Sequence, residues 1–312
     1  MLSRRHLRVR VMQALYAYHQ SEPKDIRYTE QELLNGTKKI FELYLMVMQF
    51  FLEMAHQEEV YYDDLPTSAL TGERKKAEFL LKDNAFIAWL SDNKKFSDLV
   101  KQYKISWQSE NDLIKKAFFH IRQTDSYTVY SSSMGSDRVK DIAFIEWIYK
   151  EIFINVDFLR HMLEEKTIYW AESLDLAETL LNRTLESGKT DGNFKVLPLY
   201  KDEEDDIHFM KELVQKTIRD DDYFQQLISN KTTNWDADRI AMVDIILMKM
   251  ALCEILNIAS IPIKVSINEY IDISKDYSTP NSKGFINGVI DKIVIELREQ
   301  GKIQKTGRGL VE

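Results

Sequence analysis

Trp235-Asp-Ala-Asp-Arg-Ile-Ala-Met-Val-Asp244, followed by Ala251-Leu-Cys-Glu-Ile255, Ile261-Pro-Ile-Lys-Val-Ser-Ile-Asn-Glu269 and Phe285-Ile-Asn-Gly-Val-Ile-Asp291, decides the fold class of this 312-residue chain. Its apolar residues recur at helical spacing, and short turns divide them into three amphipathic runs. Ile240, Val243, Leu247, Met250 and Ala251 form one stripe on a helix predicted over 237–257, with Asp236 as its cap. Pro262 marks the next turn. Ser266-Ile-Asn-Glu269 reads as a capping box, in which a hydroxyl and a carboxylate satisfy orphan amides reciprocally; a boundary two or three residues earlier fits equally well. The last helix is predicted from about Ser282, with Phe285, Ile286, Val289, Ile290, Ile293, Val294 and Leu297 on its apolar side. Asn287-Gly288 alone is a hairpin signal. The 3.6-residue period continues through it, which keeps the segment helical at a cost of about 1 kcal/mol for the interior glycine.

The same periodicity extends outward. Asp206 is a candidate cap for a helix over 207–219, and Phe224, Leu227 and Ile228 mark a shorter one. At the other end Leu7, Val11, Ala14, Leu15 and Tyr18 share one face of a helix over 4–19, which Ser3 can cap and Ser21-Glu-Pro23 ends. Between them lie helical patterns at 37–60, about 73–90, 96–104, 109–122, 137–165 and 170–186. The expected breaks are Leu65–Ser68, Thr71-Gly72, Ser131–Ser136, Gly188–Gly192 and Pro198. Ten glycines and five prolines are about 5% of the chain against an average of roughly 12%. Few breakers and many Leu, Ile, Lys, Glu and Gln favour long helices over a sheet-rich fold and predict an all-α protein.

Motifs for chemistry are scarce. Cys253 is the single cysteine, so an internal disulfide and a cysteine-rich zinc site are excluded, and it reads as a buried structural thiol. Ser187-Gly-Lys-Thr190 resembles the tail of a phosphate-binding loop, but Arg183 stands where that loop needs glycine. None of the six histidines has metal-site spacing; His161 beside Glu164 and Glu165 reads as a solvated helix pair. The expectation is no catalytic residue, no metal and no cofactor. The longest apolar stretch, Leu43–Met54, carries Gln49 and Glu53 and is too short to span a bilayer. No secretory signal is evident.

Charge is unevenly placed. The net charge is −8, which by itself argues against a nucleic-acid binder, yet residues 1–20 hold Arg4, Arg5, Arg8 and Arg10 and no acid. Arginines in the first turns of a helix oppose its dipole. They suit a polyanion, since a guanidinium binds phosphate bidentately and stacks on bases; the alternative is a solvated basic end with no partner. Asp244 and Glu254 fall close to the apolar stripe of the 237–257 helix. A carboxylate there is either a structural ion pair or amide cap, or a docking point for a basic protein.

Arg4-Arg-His-Leu-Arg-Val-Arg10 with Gln13-Ala-Leu-Tyr16, the Trp235-x-x-x-Arg-Ile240 start, Leu252-x-Glu254, Ile261-Pro-x-Lys-Val-x-Ile-Asn-Glu269 and Phe285-x-Asn-Gly-Val-x-Asp291 occur in the order found in the NusB family. The chain resembles that family over residues 1–21 and 203–299. The resemblance implies an all-α fold, a NusB-like helical bundle of two small subdomains; residues 22–202 depart from it, having no counterpart in the family, and their own helical patterns read as an insertion that extends the N-terminal bundle. A basic flexible tail, 300–312, follows. It also implies a cytoplasmic transcription antitermination factor, not an enzyme. The implied partners are boxA-like single-stranded RNA, the ribosomal small-subunit protein NusE and the RNA polymerase antitermination complex, with no membrane. Carried over by position, RNA contacts are expected at Arg4, Arg5, Arg8, Arg10 and Lys249, and partner contacts at Asp244 and Glu254. The competing expectation is a helical protein-interaction scaffold in ribosome biogenesis without sequence-specific RNA binding.

Overall fold

The computed structural model describes residues 1–64, 80–132, 137–171, 173–190, 192–232 and 240–310, and among these every regular element is a helix. In chain order they are α1 (Arg4–Gln20), α2 (Ile26–Asp63), α3 (Ala85–Asp92), α4 (Lys94–Gln102), α5 (Asn111–Arg122), α6 (Asp125–Ser131), α7 (Arg138–Tyr149), α8 (Asp157–Lys166), α9 (Ile168–Ala171), α10 (Leu174–Thr190), α11 (Glu203–Arg219), α12 (Asp221–Lys231), α13 (Met242–Asn257), α14 (Ile263–Tyr277) and α15 (Ser282–Glu299). No helix among the described residues is long and apolar enough to cross a membrane. The contacts divide the chain into two compact units, residues 1–37 with 199–312, and residues 38–198. Residues 22–37 therefore go with the first unit, although the expected insertion began at 22. The expected breaks at Leu65–Ser68 and Thr71-Gly72, most of Ser131–Ser136, and the Asp236 cap lie outside the described residues.

Several boundaries differ from the expected ones for local reasons. α2 begins eleven residues before the expected 37, because the Asp25 carboxylate accepts the amides of Arg27 and Tyr28 and starts the helix in a turn where Ile26 and Tyr28 are exposed and form no buried stripe. The single helix expected over 137–165 is interrupted by a π-type turn at Lys150–Ile154 and an irregular link at Asn155 and Val156. α10 runs through Gly188 to Thr190 instead of ending before it; the glycine there is explained by packing and not by a turn, because the Phe194 ring lies where a Cβ at Gly188 would sit. α11 is capped by Asp202, whose carboxylate accepts the Asp205 amide. Asp206 instead lies within the helix and accepts the amides of Lys201 and Asp202. α14 begins after Pro262, at the earlier of the two boundaries the sequence allowed, which leaves Ser266 and Glu269 within the helix.

In the first unit α13 is the central helix, packed against α1, α11, α12, α14 and α15. Every residue from Ile246 to Ile255 is buried. A helix enclosed on all sides is expected to be apolar all round, so the charged residues on α13 need partners (below). Around it lie Leu7, Val11 and Leu15 of α1, Met210, Leu213 and Val214 of α11, and Ile286, Ile290 and Ile293 of α15. The tail is tied down: the Lys305 ammonium donates to the carbonyls of Glu254 and Ile258, at the C-terminal end of α13, and the Thr306 amide donates to Ala259. Burial lowers the Lys305 pKa to about 8. The expectation of a flexible tail therefore does not hold at these residues.

α15 stays helical through Asn287-Gly288. Gly288 is exposed, and a Cβ built there meets nothing within 4 Å. Close backbone packing is thus not the reason for the glycine. Gly288→Ala should raise stability by about 1 kcal/mol, seen as a higher urea midpoint of the full chain. A lower midpoint would mean that the helix is not free of neighbours there.

The second unit is built on the apolar part of α2. Phe50, Phe51, Phe86, Trp107, Phe118 and Phe153 are buried, and the Trp107 indole donates to the Met46 carbonyl at 2.9 Å. The Tyr44 hydroxyl is 2.6 Å from Thr184 Oγ1 and ties α2 to α10. Asp141 accepts the Tyr130 hydroxyl and the Ala85 amide, which fixes the start of α3 against α6 and α7.

Candidate nucleic-acid interface

Ser3 starts α1. Its hydroxyl accepts the His6 amide and its own amide donates to His6 Nδ1. No acid lies in the first turn, so nothing local offsets the arginines. The partners of Arg4, Arg5 and Arg8 come from distant helices of the same unit.

Arg5 presents its fork to α14. Its Nε and Nη2 donate to the two oxygens of Glu269 at 3.1 and 3.0 Å, and Nη2 also reaches Asp272 at 2.8 Å. The Arg5 side chain is 43% exposed. The hydrogen bonds it donates to Glu269 raise its pKa, against the opposing effect of burial. Arg4, 34% exposed, pairs with Asp205 and lies 3.4 Å from Asp206, with its guanidinium 4.3 Å from the centroid of the Phe209 ring.

Arg8 is different. It is 3% exposed and faces Glu254, which is fully buried. Nε and Nη2 donate to the two Glu254 oxygens at 2.8 and 2.9 Å, and the hydroxyls of Ser266 and Tyr270 donate to the same carboxylate at 2.6 and 3.1 Å. Burial opposes the Arg8 charge, but the hydrogen bonds and attraction of Glu254 outweigh it and the pKa rises. Burial also pushes the Tyr270 hydroxyl well above its ordinary range. Arg10 is buried too, donating to Gln13 Oε1 at 2.7 Å and to the Gly36 carbonyl at 2.8 Å.

The remaining expected site residues also lie inside. Lys249 is buried and donates to Asp221 at 2.7 Å; His19, its pKa lowered by burial, is 3.7 Å from the same carboxylate. Asp244 accepts the hydroxyls of Ser278 and Ser282 at 2.6 and 2.7 Å, and so holds the turn into α15. Of the seven residues, only Arg4 and Arg5 present charge to solvent. Asp205, Glu269 and Asp272 were not identified from sequence. The available signal was an acid-free arginine helix together with a carboxylate on an apolar helix, each needing the other. Among the described residues no group of His, Cys, Asp or Glu could hold a metal.

The arrangement defines a class: an all-helical module whose first helix is locked onto a central buried helix by an internal ion pair and carries a pair of half-exposed guanidiniums at its start. Residues 176–294 match the model of the NusB family. These residues are a NusB family-model domain, and residues 1–175, α1 included, and 295–312 lie outside the match. The match begins inside α10, so it includes the end of the second unit. The chain is similar to the transcription antitermination protein NusB of Salinibacter ruber, 43% identical over 103 residues, 33% of this chain and 64% of that protein. It is 38% identical over 104 residues to the NusB of Chloroherpeton thalassium, 33% of this chain and 49% of that protein. For the NusB of Finegoldia magna the figures are 39% over 89 residues, 28% and 65%. In each case the match spans less than two thirds of the relative's own length. No solved structure matches the chain.

Proposed function

We propose that this protein is an RNA-binding transcription antitermination factor that acts by binding and not by chemistry. The observation that carries the reading is the Arg4–Arg5 pair, half-exposed at the start of α1 on a NusB-family frame. Guanidinium forks engage phosphate oxygens bidentately and stack on unpaired bases. Arg8, Arg10 and Lys249 take part as positioning residues: buried and paired, they hold α1 and α13 in place. The ligand is boxA-like single-stranded RNA, with NusE as the protein partner within the RNA polymerase antitermination complex in the cytoplasm. Asp244 and Glu254 support the partner face from within, Asp244 through the start of α15 and Glu254 through α1 and α14.

The test is fluorescence anisotropy with boxA and scrambled RNA of equal length, with and without NusE. The expected result is preference for boxA, strengthened by NusE. Two neutralised phosphates on a single strand give a slope of log K against log salt of about −1.4. Arg4→Ala with Arg5→Ala should weaken binding about tenfold or more. Affinity that ignores both salt and these substitutions would overturn the reading.

A second reading has an observation of its own. Residues 38–198 form a compact unit, most of it outside the family match, which suits a protein-interaction scaffold. Recovery of NusE with no boxA preference would favour it.

A further inference from the structure

Both guanidiniums that the RNA reading needs are already engaged. Glu269 meets the Arg5 fork with two parallel hydrogen bonds, the geometry a phosphate would use, and Asp272 adds a third. Asp205 of α11 holds Arg4 through a single bond from Nη2, and Asp206 lies 3.4 Å from its Nε. These pairs are partly open to solvent, Arg4 at 34%, Arg5 at 43% and Glu269 at 22%, unlike Arg8–Glu254. Exposed ion pairs add little to stability, so they can be exchanged without unfolding the unit.

Each acid also has a second favourable environment to return to. Asp272 accepts from Lys275 at 2.5 Å, and that bond does most to hold its pKa below the usual range. Asp205 lies in the first turn of α11, where the helix dipole stabilises a negative charge. Glu269 lies 3.4 Å from Arg8 Nη1. An arginine that leaves for a phosphate therefore strands none of the three carboxylates. The carboxylates stay close, however, and repel the incoming anion. A lone phosphate meets this repulsion at one fork with nothing to offset it. A chain of phosphates can engage both forks at once.

We propose that Asp205, Glu269 and Asp272 are intramolecular stand-ins for RNA phosphate, and that they set the affinity and selectivity of the Arg4–Arg5 site by making RNA exchange with them. This rests on the reading that the ligand is single-stranded RNA. The acids act as specificity-determining residues: an RNA whose bases are held elsewhere on the domain overcomes the exchange, and one held by charge alone does not.

The experiment compares the full chain with D205N/D272N and with R4A/R5A, using boxA and scrambled RNA by anisotropy over a salt series. Glu269 is left in place because it also faces Arg8. D205N/D272N should bind both RNAs roughly three- to thirty-fold more tightly. The scrambled RNA should gain at least as much as boxA, so discrimination falls, and the salt slope should steepen by about 1. Adding R4A/R5A to that variant should abolish the gain. If D205N/D272N binds as the parent does while R4A/R5A weakens binding, the exchange is overturned and the RNA reading stands. If no variant differs from the parent, or none binds RNA, the RNA reading fails and takes this inference with it. A urea midpoint close to the parent's shows that the variants are folded.

Discussion

Arg8→Ala should destabilise the 1–37/199–312 unit by about 3–5 kcal/mol, more than any substitution of the arginines near it. The reason lies in what is left behind. Glu254 is on a helix turn with no solvent access, and the Arg8 guanidinium donates to both its oxygens, at 2.8 and 2.9 Å. Without the guanidinium the carboxylate retains the hydroxyls of Ser266 and Tyr270. Two neutral donors do not offset the desolvation of a charge. Arg8→Lys keeps the charge but loses the fork, and should fall between the parent and Arg8→Ala. Replacing both partners with apolar residues, Arg8→Met with Glu254→Leu, should recover much of the loss, because no buried charge then remains. The measurement is urea unfolding together with hydrogen exchange of the α13 amides, which reports on this unit directly. A change under about 1 kcal/mol for Arg8→Ala would show that the pair is not the lock described here. Weakened RNA binding by Arg8→Ala should disappear once the fraction folded is taken into account, whereas the weakening by Arg4→Ala with Arg5→Ala should not.

This contrast also shows where the sequence was legible and where it was not. The helical class followed from apolar spacing alone, and Ser3 was found as a cap because its hydroxyl stands one residue before the periodic stretch. Asn287-Gly288 was placed in a helix because its flanking apolar residues keep the α period. Caps that depend on which of several acids is used were less legible: four consecutive acidic residues follow Asp202, and only their contacts single it out. The arginines shared a charge count but not a fate. All residues from Leu7 to Met12 are buried, because α1 is enclosed by the sequence-distant helices α11, α13 and α14 as well as by Gly36 nearby. Periodicity within α1 cannot report a surface that distant elements cover. Two anomalies together could have done so: cations where a helix start favours acids, and Glu254 where a buried helix disfavours charge.

The second unit should lose stability as pH rises from about 4.5 to 7, through Glu58. This carboxylate on α2 has no solvent exposure. One oxygen accepts the Tyr127 hydroxyl from α6 and the other accepts the Leu81 amide, both at 2.5 Å. Burial pushes its pKa from 4.5 up to about 7; the two hydrogen bonds pull it down, and the charges of Asp83 and Glu59 raise it further. The folded chain thus holds a proton that the unfolded chain has released throughout this window. Unfolding becomes easier by about 1.4 kcal/mol per pH unit, roughly 3 kcal/mol in all, and levels off above the folded pKa. Below 4.5 both states are protonated and the contribution is constant. Other groups titrate in the same range, so the informative quantity is the difference from a variant that cannot titrate. Glu58→Gln retains an oxygen to accept one donor, and the Tyr127 hydroxyl can turn to accept from the new amide. Its urea midpoint should vary less with pH than the parent's and exceed the parent's at pH 8. Parallel profiles between pH 5 and 8 would mean that Glu58 is ionised throughout, held by its two donors against the cost of burial.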